Sequence, residues 1–227
     1  MMVLLCDERI AKITCVDNNE KVISLRQIHE KILIDETKSQ IENKTNLFCF
    51  ARESVAKKLM EAAEYLPYGY KFLIKEAYRS LSIQKSLFDG AFKYYKTQYP
   101  QKNDDEIYEL TCQFTAPVKV AGHPTGGAID ITLVKDGIEL DMGSKFNDIS
   151  IESENLTCLY STFINDSAKA NREILTDCME KAGFVNYPTE WWHWSYGDCY
   201  WAFLNNCDAI YSAISTTTKT TDSSLQK

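Results

Sequence analysis

The sequence predicts an α+β fold. It reads as one domain over residues 1–214, with an antiparallel central sheet and helices packed on it. Three observations predict this. Apolar runs bounded by turn residues mark strands, above all Tyr70–Tyr78 and Ala128–Val134. Longer stretches, 52–65, 83–97 and 166–182, repeat apolar residues at helical spacing. No linker or repeat divides these segments, and 227 residues suffice for one well-cored domain.

Residues 1–35 alternate short apolar runs with polar turns and are expected to be strands joined by a turn. His29 is flanked by charge there and is expected at the surface. Residues 36–46 are polar and read as a loop. The helix over 52–65 places Val55, Leu59, Ala62, Ala63 and Leu66 inward and stops at Pro67 and Gly69. The strand Tyr70–Tyr78 then delivers Arg79 at its end, with Ser80 or Ser82 as cap for the helix Ile83–Thr97. That helix carries Leu87, Phe88, Ala91, Tyr94 and Tyr95 on one broad face. Asn103–Glu106 opens the next helix, with acids where the helix dipole favours them. Ala128–Val134 is a strand, turned by Lys135–Gly137 into Ile138–Met142. Residues 143–165 read as irregular and as a potential lid. The helix Asp166–Ala182 turns Ala170, Ile174, Leu175, Cys178 and Met179 inward and ends at Gly183. Trp201–Ile214 is a further apolar segment, and the Ser/Thr/Lys-rich stretch 215–227 is expected to be disordered.

Composition narrows the function. Hydrophobic residues make up 44% and charged residues 25%, as in ordinary globular proteins. A formal charge of −7 without a Lys/Arg cluster argues against nucleic acid as a partner. No apolar run approaches the ~20 residues of a membrane span. The apolar start Met1–Cys6 is too short for a secretory core and lacks a basic leader, so the cytoplasm is the expected location. Eight cysteines show no CxxC pair and several have apolar neighbours, so buried free thiols are expected rather than disulfides. Oligomeric state is not legible.

The chemistry-bearing residues gather in two short stretches, Gly122–Asp130 and Glu190–His193, which hold two of the three histidines. His123, Asp130 and His193 make three N/O ligands, the number a catalytic zinc site uses while leaving one position open. Asp130 sits among Ala128, Ile129, Ile131 and Leu133, where a lone carboxylate is costly. A metal would explain it, and so would a hydrogen bond to a neighbouring loop. Gly122, Gly126 and Gly127 allow the tight backbone that lets two ligands converge, and equally an ordinary hairpin. Around Glu190, the aromatics Trp191, Trp192, Trp194 and Tyr196 favour a strand. Residues three apart on a strand face opposite ways, so the chain must turn or bulge there if Glu190 and His193 share a site. Arg79 would either salt-bridge a surface acid or hold the oxyanion formed when a carbonyl is attacked.

Taken in order, the stretches are Tyr78-Arg79-Ser80, Ala121-Gly122-His123-Pro124-Thr125-Gly126-Gly127-Ala128-Ile129-Asp130, Met142-Gly143-Ser144-Lys145-Phe146-Asn147, and Gly183-Phe184-Val185-Asn186-Tyr187-Pro188-Thr189-Glu190-Trp191-Trp192-His193. This series, covering about residues 50–200, resembles the zinc D-alanyl-D-alanine dipeptidase family. The resemblance implies Zn2+ at the sheet, held by His123, Asp130 and His193. It implies Glu190 as general base and then acid, Arg79 polarising the scissile carbonyl, and a small D-amino-acid peptide as substrate, in cell-wall turnover or lowered sensitivity to glycopeptide antibiotics. Ala121, Asn147, Asp148 and Trp192 are the implied substrate-binding positions. Ala121 stands where the family has serine, and Asn147 where it has the aspartate that meets the substrate ammonium group, with Asp148 next to it. A D,D-carboxypeptidase acting on larger wall peptides and a non-catalytic zinc module are the rival expectations.

Overall fold

The computed structural model describes residues 3–37, 46–148 and 155–214. The expected tail 215–227 lies outside them, as do most of the polar loop and the middle of the expected lid. In chain order the elements are α1 (Glu8–Ala11), β1 (Val22–Ser24), β2 (Ile32–Ile34), β3 (Phe50–Arg52), α2 (Glu53–Glu64), β4 (Tyr70–Glu76), α3 (Leu81–Gln98), α4 (Asp104–Cys112), β5 (Ala128–Lys135), β6 (Ile138–Glu139), α5 (Asp166–Lys181), β7 (Val185–Asn186), β8 (His193–Ser195) and α6 (Cys199–Asn205).

The main sheet runs β2-β4-β5-β8-β7, with β6 folded back on β5, and β1 pairs with β3 as a separate ribbon. Every pair involving β5 is antiparallel, as expected, but β2 lies parallel to β4. The sheet is therefore mixed. Its parallel pair follows from the route between the two strands: the chain passes through β3 and α2, and a helical crossover brings it back in the same direction, whereas a tight hairpin would reverse it.

β5 is the centre of the fold, and its period of two sorts the chemistry from the core. Ile129, Ile131 and Leu133 join Phe72 and Ile74 of β4, Val55, Leu59, Ala62 and Ala63 of α2, and Leu175, Cys178 and Met179 of α5 in the principal core. Asp130, between two of these, points to the other face. Its apolar sequence neighbours are therefore not its spatial surroundings.

Several expectations shift. Ser80 rather than Ser82 caps α3, accepting from Ile83 N–H. The broad apolar face of α3 is only half covered, with Gln84 and Tyr95 buried and Tyr94 53% exposed, because α3 packs against α4 at the edge of the main core. On α5, Ala170 is exposed, Ile174 is half-buried and the buried stripe runs through Ala168, Arg172, Leu175 and Met179. Arg172 is buried because its guanidinium donates to the carbonyls of Met142 (2.7 Å), Leu156 (2.6 Å) and Cys158 (2.5 Å), pinning both described flanks of 143–165. Burial draws its pKa down to about 10.

Near the N-terminus the run Ala11–Val16 forms no strand beyond a bridge from Cys15 to Ala209. Leu5 and Ile10 instead close a second small core with Val120, Tyr187 and Tyr200. His29 is half-buried, its Nε2 2.9 Å from Glu64, and it is not part of the cluster that His123 and His193 form. All eight cysteines are free thiols, as expected, although Cys15 and Cys207 are exposed. Among the described residues no helix is long and apolar enough to cross a membrane.

Candidate metal centre

Three adjacent strands place three polar residues in one row. β4 sets Glu76 opposite Asp130, and β5 sets Asp130 opposite His193. Regular pairing from Ile74 and Ile131 would oppose Lys75 to Asp130. A bulge between Ile74 and Glu76 inserts one residue and brings Glu76 there instead. Lys75 is sent the other way, where its fully buried side chain meets Asp35 and Glu139, each at 2.8 Å.

His123 comes from the 3-10 turn His123–Thr125 just before β5. That turn ends at Gly126 with φ +71°, a left-handed conformation suited to glycine. His123 Nδ1 donates to the carbonyl of Ala77 at 2.5 Å, which leaves the lone pair on Nε2. Nε2 lies 3.4 Å from Asp130 Oδ1, and His193 Nδ1 lies 3.0 Å from the same oxygen. One ligand atom from each of the three residues falls within 4.8 Å of the others. Two imidazole nitrogens and one carboxylate oxygen, with no fourth donor of this kind grouped with them among the described residues, fit a catalytic zinc ion with one open position.

The electrostatics agree with such a donor set. Burial alone would lift the Asp130 carboxyl, but His123 and then His193 hold it well below the usual carboxylate range. Burial pulls His123 down, and the Asp130 carboxylate more than offsets this.

The Glu190–His193 stretch resolves the conflict between aromatic pattern and shared site. His193 N–H donates to Glu190 O at 3.1 Å, closing a tight turn that ends where β8 begins. The turn brings Glu190 Oε2 to 4.0 Å from His193 Nδ1. Burial, and then the Asp130 charge, push the Glu190 carboxyl well above its ordinary value, with Arg79 opposing.

Arg79 follows β4 and is held rigidly. Its Nε and Nη2 donate to the two Glu76 oxygens at 2.8 and 2.6 Å, and Nη1 donates to Gln84 Oε1 at 3.0 Å. Gln84 is fixed in turn by Ala116 O at 2.7 Å. Burial works against the Arg79 charge, but Glu76 outweighs it and raises the pKa. A guanidinium has five N–H groups, so this fork leaves donors for the cleft.

The cleft is lined by Arg79, His123, Asp130, Glu190 and His193 together with Ala121, Asn147, Trp192, Tyr187 and Leu5 among others. Three of the four expected substrate positions, Ala121, Asn147 and Trp192, are therefore in its wall, and Asp148 is not. Trp192 is buried, with Phe146 edge-on at 5.5 Å. Asn147 has a left-handed backbone, φ +56°.

Residues 23–210 match the D-ala-D-ala dipeptidase family of peptidases. The chain belongs to this family. It is 32% identical over 181 residues to a D-alanyl-D-alanine dipeptidase of Synechocystis sp., covering 68% of this chain and 72% of the relative. It is 28% identical over 148 residues to the D-alanyl-D-alanine dipeptidase of Enterococcus faecium, covering 62% and 69% of the two chains. Among solved structures it is similar to a mutant of the vancomycin-resistance D,D-pentapeptidase VanY in complex with Zn(II). That likeness has 18% identity and a TM-score of 0.34 over 70% of this chain and 82% of that one, too low to bear on the fold. As a member of this family the chain is an enzyme, a metallopeptidase.

Sequence reasoning missed several residues around the site. Glu76 was readable in part, as an acid three residues before Arg79 at the end of an apolar strand. Gln84 and the Ala77 carbonyl carry no local signal. Leu5 enters the cleft wall only because residues 3–11 pack against α6. Ser195 and the buried Asp198 lie behind His193, with Ser195 Oγ 3.4 Å from His193 Nε2.

Proposed function

We propose that this chain is a zinc D,D-peptidase that hydrolyses D-alanyl-D-alanine or a closely related D-amino-acid peptide. The observation that carries this is the convergence of His123, Asp130 and His193, one ligand atom of each within 4.8 Å of the others, beside Glu190 and Arg79. His123, Asp130 and His193 would hold the zinc ion, which would supply Lewis-acid chemistry, lowering the pKa of water and polarising the carbonyl. Glu190 is the general base. Its raised pKa suits a group that accepts a proton from the attacking water and returns it to the leaving nitrogen. Arg79, fixed by Glu76 and Gln84, directs its free N–H groups to the oxygen on which charge develops. A purely structural metal would use neither Glu190 nor Arg79.

One observation favours an N-acylated substrate, and so the carboxypeptidase reading, as the alternative. Among the described residues lining the cleft the carboxylates are Asp130 and Glu190, both assigned to metal and proton transfer. Asn147 offers a neutral amide where a free ammonium group would want a charge. The deciding experiment compares zinc-dependent hydrolysis of D-Ala-D-Ala with that of an acylated D-Ala-D-Ala peptide, using Glu190→Ala as control. Cleavage of the free dipeptide supports the dipeptidase, and cleavage of the acylated peptide alone supports the carboxypeptidase. The peptidase mechanism fails if Glu190→Ala works as fast as the unaltered chain.

A further inference from the structure

His193 has two ring nitrogens, and only the one without a proton can serve a metal. Nδ1 faces the cluster, 3.0 Å from Asp130 Oδ1, while Nε2 points away to Ser195 Oγ at 3.4 Å. Behind Ser195 stands Asp198, only 1% exposed. Its carboxyl, lifted by burial, is held toward its charged form by the Trp201 N–H, which donates to Oδ1 at 2.9 Å, and by the neighbouring Ser195 hydroxyl.

The direction of these hydrogen bonds is fixed by what each group can do. A carboxylate only accepts, so the Ser195 proton is committed to Asp198. Ser195 Oγ then presents a lone pair to His193, and Nε2–H satisfies it. Asp130 pulls the other way, because a proton on Nδ1 would find its Oδ1 at hydrogen-bond distance. The tautomer of His193 is thus contested between two carboxylates.

We propose that Asp198, acting through Ser195, is a positioning residue that keeps the His193 proton on Nε2 and leaves Nδ1 free as the third metal ligand. This rests on the reading of His123, Asp130 and His193 as the zinc site.

A second feature places Asp198 deliberately against the site. Gly122, next to His123, has an ordinary φ of −76°, so its backbone does not require glycine. Space does. A Cβ there would lie 2.2 Å from Asp198 Oδ2 and 2.9 Å from the Ala128 Cβ. The glycine lets one buried carboxylate sit under the segment that carries His123 while serving the strand that carries His193. Asp198 also caps α6, but an asparagine would cap it as well.

That equivalence gives the test. Asp198→Asn keeps an oxygen for Trp201 N–H but turns an amide N–H toward Ser195. The chain then reverses: the amide donates to Ser195, Ser195 donates to Nε2, and the proton moves to Nδ1. Zinc affinity would be measured by competition with a chromophoric chelator, with the cobalt(II) absorption spectrum and the melting of the metal-free protein read alongside. The expected result is zinc binding weakened about 10- to 100-fold, the range for loss of a group orienting a metal ligand, with an altered cobalt spectrum and a metal-free melting temperature close to wild type. Ser195→Ala should weaken zinc in the same direction, and it carries the test if Asp198→Asn does not fold, since it leaves the helix cap intact. Both variants binding zinc as tightly as wild type would overturn the relay. A wild-type chain that binds no zinc would overturn the zinc reading itself and the relay with it.

Discussion

Replacing Glu76 with glutamine should loosen Arg79 while leaving β4 in place. Glu76 is buried and holds Arg79 through two charge-assisted bonds of 2.8 and 2.6 Å. Glutamine has the same length but one acceptor oxygen, so one arginine N–H would face an amide N–H. The loss is one hydrogen bond to a charged group, about 1.5–3 kcal/mol. The paired geometry that aims the guanidinium goes with it. What remains is one bond to the glutamine oxygen and the bond to Gln84 at 3.0 Å. Complete loss of an oxyanion donor costs about 100- to 1,000-fold in kcat, so a loosened Arg79 should cost roughly 10- to 100-fold, with a smaller change in KM. Steady-state hydrolysis of whichever of the two proposed peptides the protein cleaves reads the kinetic part, and urea unfolding of the metal-free protein reads the stability part. A Glu76→Gln protein that is destabilised yet keeps kcat within about twofold of wild type would refute the claim that Glu76 aims Arg79 at the reaction.

Three further outcomes are expected. In the metal-free protein the raised pKa of Glu190 means the folded state holds a proton that the unfolded state releases near pH ~4.3, so stability falls as pH rises from there through the folded value. Melting temperatures across pH should show this decline in wild type and a flatter profile in Glu190→Gln, and equal slopes would count against it. Asp130 works in the opposite sense, contributing stability above its unfolded pKa of ~3.9 that is lost as pH falls through the depressed folded value. Asp130→Asn should therefore shed that acid-side loss and also lose zinc in an equilibrium dialysis assay, with retention of one tightly bound zinc as the contrary result. Lys75→Met should destabilise by about 3 kcal/mol in urea unfolding, at the low end for a broken buried pair because Glu139 keeps solvent contact. A change below ~0.5 kcal/mol would show that Asp35 needs no partner.

The fold was legible where local physics decides it. Tyr70–Glu76 and Ala128–Lys135 are strands because their apolar runs are bounded by turn residues, and α2 shows the stripe that its helical spacing requires. The parallel β2–β4 pair was not legible, since it depends on a crossover and not on any short pattern. Arg172 at a core position of α5 was hidden for a related reason: its partners are carbonyls of a distant irregular segment. In the site, His123, Asp130, Glu190 and His193 were readable as residue types at defined spacing, and the structure brings them to one cleft. The turn at Glu190 was only framed as a necessity, because the surrounding tryptophans read as strand. Leu5, Gln84, Ser195 and Asp198 stayed invisible because each reaches the site through tertiary packing or through a partner's hydrogen bond. Gly122 was noticed for its backbone freedom, whereas the structure uses it for space.

The most direct test is a crystal structure of the zinc-loaded protein with anomalous data collected at the zinc edge. One peak is expected among His123 Nε2, an Asp130 oxygen and His193 Nδ1, at about 2.0–2.2 Å from each. A zinc peak elsewhere, or a stoichiometrically loaded protein with no peak at these three atoms, would contradict the account.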